Sequence, residues 1–375
     1  MAELDGCRGG ILRSSANRQI MSARSPISRG LDFASAAFEN AASRWLLHRG
    51  VVIETPGPAQ PGSQGEVRAR IGIDVGGTKT AAGVVLFPDA RIVTQRVIPT
   101  HPDRAGDAVL QDVLDLAASL LDEASSLDFA VEGIGAGVAE LVSADGKVTS
   151  AQTIAWRGLP VREHLSRLAP AVVESDVRAA ALGEALYGAG RGYDCFVYVT
   201  VGTGISHCLV QGGRPFAGAH GNALVLASGP TSHTCERCGA KSVMVLEEFA
   251  SGPGIARRYA ERVGRDDVTG RDVVRAADDG DSDALEIVTS AAEALGASIG
   301  FLINVLDPEA VVVGGGLGLC GSHYWRSLVE STRAHTWADA GRGIPVVMAG
   351  LGVDAGIVGA AASWHPDLPE LEECS

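Results

Sequence analysis

The chain has 375 residues, 46% of them apolar, and a formal net charge of −14. That length suits two or three domains around a sizeable core, and the acidic balance excludes general phosphate-backbone binding by the whole chain, though not by a small basic module. With no apolar run expected to cross a bilayer, no signal-peptide core at the N-terminus, and seven scattered Cys, the chain reads as a soluble cytoplasmic protein in a reducing compartment.

Residues 1–66 differ from the rest. They hold seven Arg, six acids and no Lys, and end in a Pro/Gly/Gln/Ser linker from Thr55 to Gly65. From Arg68 onward strands and helices alternate, the pattern of an α/β protein. Ile71 to Val75 is an apolar strand that carries Asp74 near its end. Gly76-Gly77 makes a turn, Thr78 and Lys79 follow, and Ala81 to Leu86 forms a second strand. Two glycines let backbone N–H groups approach an anion that a Cβ would block. Thr78 adds a hydroxyl donor, Lys79 a positive charge, and Asp74 is placed to hold the hydration shell of Mg²⁺. The same residues also fit a plain hairpin.

Asp103 to Ser125 is helical by period. Val131 to Val138 is a buried strand, and Val172 to Glu174 a short strand feeding Asp176, with a helix continuing through Ala179 to Tyr187. Phe196 to Val201 runs into Gly202-Thr203-Gly204 and a further strand, Ile205 to Val210. Two strand–glycine–strand units far apart in sequence can clamp a polyphosphate from both sides. Helical segments are expected at Leu246–Val263, Gly270–Ala277 and Ala284–Leu306. Ala310 to Val313 is a buried strand entering Gly314-Gly315-Gly316. No fixed-period repeat is visible.

These pieces, taken in order, make residues 68 to 364 resemble the ROK family (repressors, open reading frames and kinases). The residues that carry the resemblance are Asp74 to Lys79, Glu174-Ser175-Asp176, Gly202-Thr203-Gly204, Cys238-Gly239, Glu247 to Gly252, Asp307-Pro308-Glu309 with Gly314 to Gly316, and Asp354-Ala355-Gly356. The resemblance implies a two-lobed α/β fold of the actin and sugar-kinase type with ATP in the cleft. The expected divisions are an N-terminal extension (1–66), a smaller lobe (67–174), a larger lobe (175–364) and a tail (365–375). It also implies ATP-dependent phosphorylation of a primary hexose hydroxyl, with Asp176 as the carboxylate that accepts the hydroxyl proton. An ordinary helix cap is the other role Asp176 could play. Gly76, Gly77, Thr78, Lys79, Gly202, Thr203 and Gly204 would cradle phosphates, and Gly315 and Gly316 would border the adenosine.

The departures from the family bear on the acceptor. Ser175 stands where the family has Asn. Val225 and Ser228 fall where it has the Glu and His that grip the sugar, and Glu247 is retained as a third carboxylate. Ala139-Glu140 replaces a Pro-Gly turn, making Glu140 either a pocket acid or a solvated loop acid. Structural Zn²⁺ in the family uses that His and three Cys. Here Cys235 and Cys238 have an extra residue between them and the third Cys aligns with Val245, so His233 and His220 are the remaining ligands on offer. The first 66 residues resemble a degenerate winged helix-turn-helix, and nucleic-acid binding is not expected.

The reading is an ATP- and Mg²⁺-dependent kinase for a sugar-like polyol, with Ser175, Asp176, Glu247 and Glu140 facing the acceptor. The lost grip on a pyranose suits a C7-cyclitol of aminocyclitol biosynthesis. A homo-oligomer is expected, and no membrane partner. A ROK-family glucokinase or hexokinase, and a ROK-type sugar-responsive repressor, stay open as alternatives.

Overall fold

A computed structural model describes residues 67–234, 241–320 and 323–365. The N-terminal extension, the Cys235–Cys238 pair and the C-terminal tail lie outside the described residues.

The first lobe opens with an antiparallel meander, β1 (Arg68–Val75), β2 (Lys79–Phe87) and β3 (Arg91–Pro99). Helix α1 (Gly106–Ser126) then crosses to β4 (Val131–Val138), and α2 (Val161–Leu165) leads to β5 (Ala171–Ser175). β4 and β5 run parallel to β1, giving the order β3-β2-β1-β4-β5. Val109, Leu110, Val113, Leu116 and Leu120 of α1 recur at helical spacing and are buried against Ile71, Ile73 and Ile134.

Helix α3 (Asp176–Tyr187) follows without a break, and a second meander begins: β6 (Cys195–Val201), β7 (Ile205–Gln211) and β8 (Arg214–Pro215). A hairpin, β9 (Pro230–Thr234) with β10 (Lys241–Val245), stands apart from both large sheets. Then come α4 (Leu246–Ala250), α5 (Gly252–Val263), α6 (Gly270–Asp278) and α7 (Ser282–Leu306). β11 (Ala310–Gly314) leads into the short α8 (Gly315–Gly318). The chain continues through α9 (His323–His335), α10 (Asp339–Arg342), β12 (Val346–Met348) and α11 (Ala355–Ser363). The second sheet has the order β12-β11-β6-β7-β8, with β11 parallel to β6 and β12.

Read from β6, that order repeats the first sheet's: a three-stranded meander, then two parallel strands on the far side of its first strand. The repeat is one of topology, and no sequence period announces it.

Helices α3 and α11 pack on each other between the sheets. Ile357, Val358 and Ala361 of α11 bury against Ala81, Val85 and Phe87 of the first sheet, while Ala180 and Ala181 of α3 pack with Phe196, Tyr198 and Val210 of the second. The expected larger lobe therefore gives its last helix back to the first sheet. The expected helix 246–263 divides at Ser251, whose hydroxyl accepts the Gly254 N–H and caps α5. By length and composition α7 could span a bilayer, contrary to expectation, but 56% of its most apolar window is buried inside the protein. Ile287, Val288, Leu295 and Ile299 account for that apolarity as core of the second lobe.

Candidate functional site

The β1/β2 turn and the β6/β7 turn hold equivalent places in the two sheets, and they meet. Thr78 Oγ1 lies 3.2 Å from Thr203 Oγ1. Each turn is closed by its own backbone: Gly76 N–H donates to Lys79 O at 3.0 Å and Gly202 N–H to Gly204 O at 2.9 Å. Thr78, Lys79 and Thr203 are exposed at this junction. A Cβ on Gly77 would stand 2.6 Å from Thr153 Cγ2, so the 150–154 loop walls the first turn. Gly315, at φ +80°, rests on the end of β6, where a Cβ would collide with Val201 O. Gly316 N is 3.9 Å from the place a Gly202 Cβ would take, so the β11 turn adjoins the β6/β7 turn.

Asp74 and Asp176 come together through β4. Gly137 pairs with Asp74 on one side and Glu174 on the other, and Val138 pairs with Val75 and Ser175. Asp176 follows at the carboxyl edge of these parallel strands, where open α/β sheets hold ligands. Ser175 occupies the N-cap and makes no side-chain cap bond, so Asp176 is the first helical residue and not the cap. Its Oδ1 accepts the Val177 N–H at 2.6 Å, with Ser175 Oγ at 3.5 Å. The Asp74 carboxylate lies against the bare backbone of Gly356 at the start of α11. Burial raises the Asp74 pKa to about 6, against the pull of Lys79. Burial, with the Asp74 charge added, raises Asp176 to about 7.

Glu247 and Glu140 turn toward backbone. Glu247 Oε2 accepts the Ile205 N–H at 2.8 Å, and a Cβ on Gly204 would lie 2.6 Å from the same oxygen. The Glu247 N–H donates to Ala227 O at 3.2 Å, tying the 223–229 loop to this turn. Glu247 therefore braces the β6/β7 turn.

Glu140 is neither a solvated acid nor an acid open to the cleft. It is 6% exposed. Oε1 accepts from Thr153 N (2.6 Å) and Ile154 N (2.7 Å), and Oε2 from Gln152 N (3.0 Å) and the Ser150 hydroxyl. A buried carboxylate needs donors, and the 150–154 loop supplies them. Its contribution to the cleft is to hold that loop against Gly77.

Two further charged side chains shape the site without having been singled out. The buried Arg178 pairs with Glu174 and donates to Gly221 O at 2.6 Å and Val142 O at 2.7 Å. It joins two loops, between which an open cavity of about 480 Å³ lies, lined by Ser143, Ala144, Asp145, Ala219, His220 and Asn222. Glu184 is fully buried and accepts from Ala189 N (2.7 Å), Gly350 N (2.8 Å) and Leu351 N (2.8 Å), fixing the approach to α11. Glu174 lies at the end of β5 and Arg178 sits in the first turn of α3, so their pairing crosses a strand–helix junction and, like the contacts of Glu184, left no helical-spacing signal in the sequence.

His233 lies on β9, and its expected partners Cys235 and Cys238 fall outside the described residues. Among the described residues, no three His, Cys, Asp or Glu side chains cluster to hold a metal.

Comparison with known proteins supplies the lineage. The ROK family profile matches residues 70–367. The glucokinase of Halalkalibacterium halodurans is 31% identical over 311 residues, covering 77% of this chain and 92% of that protein. The structure of a ROK family glucokinase from Streptomyces griseus, with glucose and AMPPNP, superposes with a TM-score of 0.70 at 29% identity, over 79% of this chain and 98% of that one. The ROK hexokinase of Thermus thermophilus gives 0.62 at 32% identity, over 78% and 96%. The fold is the two-lobed, actin-like α/β architecture of sugar kinases, and the chain belongs to the ROK family.

Proposed function

We propose that this chain, an ATP-dependent kinase with a sugar-type hydroxyl as acceptor, phosphorylates a primary alcohol on a polyol that it does not grip as glucose is gripped, with a C7-cyclitol as the preferred class. The observation that carries the kinase chemistry is Asp176 at the carboxyl edge of the first sheet, held near pKa 7 beside Asp74. A base with that pKa is ready to accept the acceptor's hydroxyl proton at neutral pH.

The residues take the following roles. The Gly76–Lys79 and Gly202–Gly204 turns bind the β- and γ-phosphates from opposite lobes, and Gly315 and Gly316 border the adenosine. Ser175 flanks the acceptor together with Oε1 of Glu247, the carboxylate oxygen that does not brace the β6/β7 turn. Glu140 sets the 150–154 loop beside the phosphates. Asp74 and Asp176 suit a divalent cation, because each is desolvated and Asp74 raises its neighbour, a repulsion that a cation relieves. Mg²⁺ there would be held by Asp74, with phosphate oxygens and water completing its shell. When bound, it neutralises charge on the transferred phosphoryl group.

The acceptor class rests on Val225 and Ser228, apolar and small where the family presents a Glu and a His to the sugar. A site built to bond a hydroxyl loses several powers of ten in selectivity when the partner is absent. Glucose is the second reading, supported by the glucokinases among the relatives. An ATP-consumption screen over hexoses and C7-cyclitols, with Asp176→Asn beside it, decides between them. Glucose turned over at ordinary glucokinase efficiency with cyclitols ignored would overturn the cyclitol assignment. Full activity in Asp176→Asn would overturn the base.

A further inference from the structure

We propose that Arg271 stacks its guanidinium on the base of the bound nucleotide and thereby favours ATP over base-free phosphate donors. The proposal rests on the ATP-kinase reading above and extends it to a residue that no motif marked.

Position comes from backbone packing. Gly252, at the start of α5, donates its N–H to Gly202 O at 2.9 Å. Gly270, at the start of α6, packs on Gly252 so closely that a Cβ would stand 2.7 Å from Gly252 Cα. The first turn of α6 is thus fixed one layer outward from the β6/β7 turn, and Arg271 is its second residue. The side chain reaches over Gly316. A Cβ there would lie 2.8 Å from Nη2, 3.4 Å from Nε and 3.5 Å from Cζ, so the guanidinium lies along bare backbone.

The path from Thr203 through Gly202 and Gly316 to Arg271 leads away from the junction of the two phosphate turns. A nucleotide with its terminal phosphates at that junction carries its base toward the other end of the path. Arg271 is exposed, and none of the described residues takes its donors in a hydrogen bond or ion pair. Its neighbour Asp272 is engaged by Thr269 and Arg275. A planar guanidinium in this setting can stack on an aromatic face, which a Lys ammonium cannot do in the same way.

The test titrates Mg-ATP and Mg-tripolyphosphate into the full chain, its Arg271→Ala variant and its Arg271→Lys variant, by calorimetry. The expected result is an ATP affinity weakened about 5- to 30-fold in Arg271→Ala, little recovered in Arg271→Lys, with tripolyphosphate affinity unchanged in all three. The side chain is exposed, so all three should melt alike, and a variant that melts early is replaced by Arg271→Gln. Unchanged ATP affinity in Arg271→Ala overturns the proposal, and so does an equal loss for tripolyphosphate, which would make Arg271 a phosphate contact. A wild-type chain that binds neither donor overturns the kinase reading itself, and this proposal with it.

Discussion

Thr78 and Thr203, 125 residues apart in sequence, bring their hydroxyls within 3.2 Å of each other across the two lobes. The repeated sheet order explains the meeting, since each Thr stands in the turn after the first strand of its own sheet. Two hydroxyls and two sets of turn N–H groups at one point can hold one polyphosphate. Hydrogen bonds to charged groups are worth about 1.5–3 kcal/mol. Thr203→Val should therefore raise KM for ATP about 10- to 100-fold and leave the acceptor KM nearly unchanged in steady-state assays varying each substrate.

As the proposed base, Asp176 sets the pH dependence of turnover through its raised pKa. With the base at about 7 in the free enzyme, kcat/KM for the acceptor should fall about tenfold per pH unit below that point and level off above it. Asp176→Asn should lower kcat by about 10²–10⁴ and abolish the limb. A wild-type profile flat from about pH 5.5 to 8 at subsaturating Mg-ATP, where the free enzyme is the titrating form, would count against Asp176 as the base.

The same carboxylate should tax stability. Its folded pKa, about 7, exceeds the ordinary aspartate value of 3.8. Between these values the folded chain keeps a proton that the unfolded chain releases, so this group's contribution falls as pH rises through that window. His207 acts in the opposite sense: buried, with neither ring nitrogen hydrogen-bonded, it is lowered to about 4 and adds stability as pH rises from about 4 to 6.5. The difference between wild type and Asp176→Asn isolates the aspartate. In urea unfolding without nucleotide, the variant should be more stable by about 1–3 kcal/mol at pH 8, the gain vanishing near pH 4.

What the sequence disclosed and what it hid follow from where each interaction lies. The hairpins around Gly76 and Gly202 were legible because a strand, a glycine turn and a second strand are contiguous, and the burial of α1 followed from its period. Glu140, Arg178 and Glu184 were opaque or misread because their partners are backbone groups at Thr153, Gly221 and Gly350, and a backbone N–H or C=O has no sequence signature. The Ala-rich α11 carried no mark of which sheet it covers. The break at Ser251 was hidden by an apolar period that runs through it.

Glu140 gives a test of that hidden layer. Its carboxylate satisfies the N–H groups of Gln152, Thr153 and Ile154. Removal leaves the buried Ile154 N–H unpaired, at about 1–3 kcal/mol, while water can reach the part-buried Gln152 and Thr153 N–H groups at smaller cost. Glu140→Ala should lose about 2–4 kcal/mol in urea unfolding. At temperatures where the variant stays folded, its KM for ATP should also rise, because Thr153 no longer holds its place against Gly77. A variant as stable as wild type would show that the loop is held by something else.

Val225 offers the reverse experiment, in which a missing function is restored. It is half-exposed on the 223–229 loop, which Ala227 O ties to the Glu247 N–H beside the β6/β7 turn. A Glu there has room and little structural cost, within about 0.5 kcal/mol for a substitution at a site of this exposure. On the register proposed for Val225, it would return a bidentate acceptor to the place where the family presents a Glu to its sugar. Val225→Glu should raise kcat/KM for glucose by about tenfold or more, as a regained hydroxyl contact requires, with KM for ATP unchanged. If cyclitol turnover falls in parallel, the two acceptors share one pocket and the side chain at 225 selects between them. An unchanged glucose efficiency would place the residue outside the acceptor site and remove the main support for a non-glucose substrate.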